Sequence, residues 1–155
     1  MPKTDHTRPR IGDVVEIPVG SSLAYAHYTH KHPQFGALLR VFGELHAGRP
    51  TEFVRLVQKP AQFTCFFPLG AACSRGIVKI VATEEIAQPK AFPTFRTGVA
   101  DSEGKIKCWW LWDGASERKV GKLAPEMVKF PIRGVINDTL LTERILSGWC
   151  HEKVT

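Results

Sequence analysis

"LAYAHYTHKHPQFGALLRVFGEL", residues 23–45, is the stretch whose reading decides the fold. Two apolar-rich segments flank the turn-rich KHPQFG, which reads as strand, bend and strand: a β-hairpin. Upstream, RPRIGDVVEIPVG is a loop followed by a strand. Alternation sends Val14, Glu16 and Pro18 to one side of that strand and Val15, Ile17 and Val19 to the other. Pro18 marks an edge or a strand end, because it has no N–H for a ladder.

Downstream, HAGRPTEFVRLVQKPAQ is a connection in which a short strand is expected at FVRLV. FTCFFPL is aromatic and apolar and belongs in the interior. GAACSRG is one helical turn or a loop, and IVKIVATEEI alternates as a further strand. The prolines of AQPKAFP exclude helix and make it a linker. FPTFRTGV and KIKCWWLWDG follow as strands, the second ending in the tight-turn pair Asp113-Gly114, with ERKVGKL as a return strand.

One helix is predicted, within VINDTLLTERILSGW. Asn137 is its N-cap, and Asp138 in the first turn suits the helix dipole. Ile136 and Leu141 form a hydrophobic staple, and Gly148 supplies the stop. The fold class expected is α+β but mostly β: a twisted antiparallel sheet or half-open small barrel with one C-terminal helix. Residues 1–10 are set apart as a flexible N-terminal segment, 11–149 as a single β-rich domain, and 150–155 as a C-terminal tail.

Composition agrees with one globular domain. At 155 residues and 43% hydrophobic, the chain can bury a real core without staples. Cys65, Cys73, Cys108 and Cys150 form no CxxC pair and are too sparse for a disulfide scaffold. MPKTDHTRPR has no apolar h-region, and no apolar run reaches the length of a membrane span. The expectation is a cytoplasmic protein with reduced thiols and no membrane partner. A net charge of +6 favours an acidic partner or an anionic ligand, yet Lys and Arg are scattered and match no nucleic-acid motif. Nucleic acid is therefore disfavoured.

Three groups of residues carry candidate chemistry. AHYTHKHPQF holds His27, His30 and His32, half of the chain's six histidines. Strand alternation puts His30 and His32 on one face and His27 on the other, so all three converge only if the chain bends near Thr29. A catalytic zinc needs three protein ligands, and a third beyond His30 and His32 would otherwise come from His46, Cys108 or His151. Read by itself, the stretch is a polar hairpin bend. Cys73, beside Arg75, has a positive neighbour that would lower its pKa, but no base is supplied by its sequence neighbours, and a small buried cysteine is the expected role. No GxSxG, P-loop, dinucleotide fingerprint or HExxH is present. CWWLW supplies Trp109, Trp110 and Trp112, which either pack in the core or present one aromatic face to a partner.

Through GDVVEIPVG, LAYAHYTH, FFPLGAACSRGIVKIV, FPTFRTGV, WWLWDG and FPIRGVINDTLLTERI, the chain resembles the immunity protein 26 family, which is grouped with a small bacterial phosphotriesterase. The resemblance runs from about Ile11 to Trp149. It implies a compact β-rich domain that binds and neutralises a cognate toxin domain, with Trp109, Trp110 and Trp112 as partner-binding candidates and no cofactor. Its alternative is hydrolysis of small organophosphate triesters. In that case a divalent metal such as zinc is implied, and His27, His30 and His32 become its candidate ligands. The charge of +6 departs from what an inhibitor of a basic nuclease would carry, so the toxin implied is neutral or acidic, or is blocked away from a nucleic-acid groove.

Overall fold

The computed structural model describes residues 8–155; the N-terminal segment expected at 1–10 lies, through residue 7, outside the described residues. Five strands form the first sheet: β1 (Asp13–Val19), β2 (Ser22–His32), β3 (Gly36–His46), β4 (Phe63–Phe67) and β5 (Lys79–Thr83), in the order β4-β3-β2-β1-β5. Three more, β6 (Phe95–Ala100), β7 (Ile106–Trp112) and β8 (Glu117–Gly121), form a second sheet in sequence order. All strand pairings within the two sheets are antiparallel, and neither sheet closes into a barrel. The fold is the mostly β, α+β class that the sequence predicts.

β1 behaves as its alternation requires. Val15, Ile17 and Val19 enter the main core, with Ala24, Ala26 and Tyr28 of β2 and Leu39 and Val41 of β3. The opposite face of the same strands buries Val14, Tyr25 and Phe42 in a second cluster. Glu16 lies on that second face. Its carboxylate accepts a hydrogen bond from the Tyr25 hydroxyl at 2.9 Å and two from Arg49 at 2.7 and 3.0 Å. The Arg49 guanidinium holds the Glu16 carboxyl below its ordinary range, against the opposing effect of burial.

The helix that closes the main core, α2 (Asp138–Ser147), is capped as predicted. The Asn137 side chain accepts from the Leu140 N–H at 2.8 Å, and Ile136, Leu141 and Ile145 are buried together. At the other end Gly148 adopts φ +68°, and the Trp149 N–H returns to the Arg144 carbonyl at 3.1 Å, the Schellman arrangement. The GAACSRG segment is helical: α1 spans Leu69–Ser74.

The strand expected at FVRLV is instead a single turn of 3₁₀ helix at Leu56–Gln58. Phe53, Leu56 and Val57 are its buried residues, and their i, i+3, i+4 spacing is helical rather than alternating. The Val57 N–H donates to the Phe53 carbonyl at 3.1 Å. Residues 150–155, set apart as a tail, are tied into the interior through His151, which is buried. Its Nδ1 accepts from the Ile132 N–H at 3.0 Å, and its Nε2 donates to the Thr64 carbonyl at 3.0 Å.

Candidate functional site

The three histidines of β2 do share one face of the sheet. Pairing with β3 runs Tyr28 to Leu39 and then His30 to Leu38, so Thr29 is an extra residue, a β-bulge. The bulge reverses the alternation beyond it. His27 lies opposite Arg40, His30 opposite Leu38 and His32 opposite Gly36, all on the side away from the main core. This is the bend near Thr29 on which convergence depends.

What the histidines meet there is main chain. His27 Nε2 contacts the Gly12 carbonyl at 2.9 Å and the Glu84 carbonyl at 3.1 Å. His30 Nε2 donates to the Lys90 carbonyl at 2.8 Å while its Nδ1 accepts from the Thr29 hydroxyl. His32 Nε2 donates to the Gly114 carbonyl at 2.8 Å, and its Nδ1 accepts from the Gln34 N–H at 3.1 Å. Arg40, in the same row, gives its two terminal nitrogens to the carbonyls of Ala87 and Pro89 at 2.9 and 2.7 Å.

The physical need is clear. The proline-containing linker 84–94 has no ladder partner, and its carbonyls must be satisfied where they lie against the sheet. His27, His30 and Arg40 provide those donors. The sequence shows the histidines but not their acceptors, because main-chain carbonyls carry no letter.

This arrangement does not fit a metal. The nitrogens of His30 and His32 are committed to backbone and hydroxyl partners. His27 Nδ1 is sealed from solvent and has no partner among the described residues, a single buried lone pair without companion ligands. Burial pushes the His27 ring below its ordinary pKa, so it sits neutral at pH 7. Among the described residues no three His, Cys, Asp or Glu side chains are grouped to hold a metal ion, and His46 and His151 do not join the row. His46 instead packs edge-on against Tyr25.

The thiols are equally quiet. Cys65 is fully enclosed and burial pushes its thiol up to about 12; Cys73 is also pushed up by burial, with Asp13 adding to the effect. Neither is an activated nucleophile.

The tryptophans separate into two roles. Trp112 is 5% exposed and fills the space between the sheets among Phe35, Phe66, Phe92 and Phe95. Trp109 is 2% exposed, with the Arg96 guanidinium 4.7 Å above its ring. Arg96 is itself wholly buried and donates to the carbonyls of Val128, Phe130 and His151. Trp110 is the one of the three that reaches solvent, at 37%. Register places it between Thr97 of β6 and Lys119 of β8, and exposed Lys107 and Lys122 lie on the same sheet or just beyond it. Val99, near the end of β6, is 88% exposed. Neither Thr97 nor Lys119 is identifiable from the sequence, since only strand register makes them neighbours of Trp110.

Among the described residues no helix is long and apolar enough to cross a membrane. Comparison of the chain with family models, with curated proteins and with solved structures found no match.

Proposed function

We propose that this protein is an immunity-type binding domain that neutralises a cognate bacterial toxin, engaging it through the face of the second sheet that carries Trp110. The observation that carries this reading is the split among the tryptophans: two are sealed inside and the third stands half-exposed beside Lys119. Tryptophan on a rigid strand is the residue type that most often anchors a protein interface. The toxin domain it suits is neutral or acidic, given the net charge of +6 and the exposed lysines nearby. Charged side chains on the β8 edge discourage strand addition, so the partner docks on the sheet face. The compartment we assign is the cytoplasm, and Cys65, Cys73, Cys108 and Cys150 are unpaired, as a reducing environment requires.

The test is to mix the purified protein with the toxin encoded beside it. The expected result is a stable complex and loss of toxicity, with Trp110→Ala weakening the complex about thirtyfold or more. A toxin that neither binds nor loses activity would sink this reading.

A second reading, hydrolysis of organophosphate triesters, is favoured by one observation: the Thr29 bulge that gathers His27, His30 and His32 on one face. No step is assigned to a metal, since the rings do not fit one as they stand. A chromogenic triester assayed with and without chelator, then with His30→Ala and His32→Ala, decides it. Turnover abolished by both treatments would replace toxin binding as the leading function.

A further inference from the structure

The Thr29 bulge has a second effect, on the opposite face of β2. Tyr28 lies opposite Leu39 and Lys31 opposite Ala37, so two residues three apart now point to the same side. There they meet a groove of about 350 Å³ between the β2–β3 hairpin and the start of α1. Phe67 and Leu69, both buried, form its floor, and exposed Val135 opens one wall.

The polar groups of this groove are few and of one kind. Arg8 and Lys31 are exposed cations at its rim. Tyr28 is only 5% exposed, and its residual exposure lies along the groove it helps to line. Asp13, the carboxylate whose field reaches Tyr28, accepts hydrogen bonds from the Arg10 N–H and the Thr83 hydroxyl. Two cations and a phenol therefore line one groove over an apolar floor.

We propose that this groove binds a small organic oxyanion with an apolar body, its head held by Arg8, Lys31 and the Tyr28 hydroxyl, its body lying on Phe67 and Leu69. The volume stands near the lower end of small-molecule sites, roughly 300–1,000 Å³, which restricts the occupant to a small molecule. Burial and the Asp13 charge both keep the proton on the Tyr28 hydroxyl, so it acts as a donor. Carboxylate, sulfonate and phosphate heads share the required chemistry. The site is separate from the Trp110 face and does not depend on toxin binding.

The experiment titrates the full chain with 8-anilinonaphthalene-1-sulfonate by fluorescence, then competes it with octanoate, hexyl phosphate and, as the uncharged control, octanol. Saturable one-to-one binding is expected, displaced by octanoate or hexyl phosphate at concentrations where octanol has no effect. Which acid displaces it better identifies the preferred head. Lys31→Glu should weaken binding about tenfold and Tyr28→Phe severalfold. Ala71→Trp, at an exposed helical position on the groove wall, should abolish binding by filling it. Thermal midpoints matching the parent show that these variants are folded. Binding that is not saturable, competition by octanol as strong as by octanoate, or affinity unmoved by Lys31→Glu and Ala71→Trp would each overturn the proposal.

Discussion

His32 and Gly114, 82 residues apart in the chain, are joined by a hydrogen bond of 2.8 Å from the imidazole Nε2 to the glycine carbonyl. It links the end of the first sheet to the turn between β7 and β8. The ring also lies 4.9 Å from Trp112 and 5.2 Å from Phe35, centroid to centroid, so it belongs to the aromatic layer between the sheets.

His32→Ala removes that link and an aromatic contact together. A loss of about 2 kcal/mol is expected, read as a lower urea midpoint with an unchanged slope. Chelator added to the parent protein should leave the midpoint where it was. A midpoint that falls on chelation would show that these rings hold a metal rather than carbonyl oxygens.

Gly114 is constrained twice. Its φ is +99°, and a Cβ there would sit 2.8 Å from the Phe92 ring. Gly114→Ala should cost about 1–3 kcal/mol. Adding Phe92→Leu should recover the steric part and not the backbone part, so a double-mutant cycle will show positive but incomplete rescue. Full additivity of the two losses would refute the contact.

Acid should destabilise the fold through His151, whose pKa burial lowers from 6.5 to about 4. Between those values the unfolded chain binds a proton that the folded chain refuses, since protonation would turn the Nδ1 acceptor toward the Ile132 N–H as a second donor. The stabilisation is complete above about pH 6.5 and is lost progressively as pH falls toward 4, by at most about 3 kcal/mol. His27, lowered in the same direction, adds to the slope. Urea unfolding at pH 7 and at pH 4.5 measures the difference, and His151→Gln should reduce it. An unchanged pH slope in that variant would assign the effect elsewhere.

The paired tryptophans give opposite expectations. Trp112→Ala opens the aromatic layer and should cost about 3–5 kcal/mol, enough to unfold a marginal domain. Trp110→Ala should change stability by less than about 1 kcal/mol while impairing partner binding. Equal thermal effects of the two changes would contradict the placement of Trp110 at the surface.

The features legible in the sequence are those whose physics is local. The alternation of β1 needs only successive residues, and the caps at Asn137 and Gly148 are built within one turn of α2. FVRLV misleads because its length and apolar letters suit a strand, while its buried positions follow the helical spacing of Phe53, Leu56 and Val57. The site depends on relations that no single segment contains. The Thr29 bulge exists only in register with β3, and the carbonyls that occupy the histidines belong to residues 15 to 82 positions away. Arg96 is hidden for the same reason: nothing in FPTFRTGV announces a buried cation resting on Trp109 and gripping the last turn of the chain.

The linker over the first sheet is held mostly by its peptide oxygens, through donors on β2 and β3, with the Phe92 ring as its one aromatic anchor. Apart from Phe92, its letters can change while its path stays fixed.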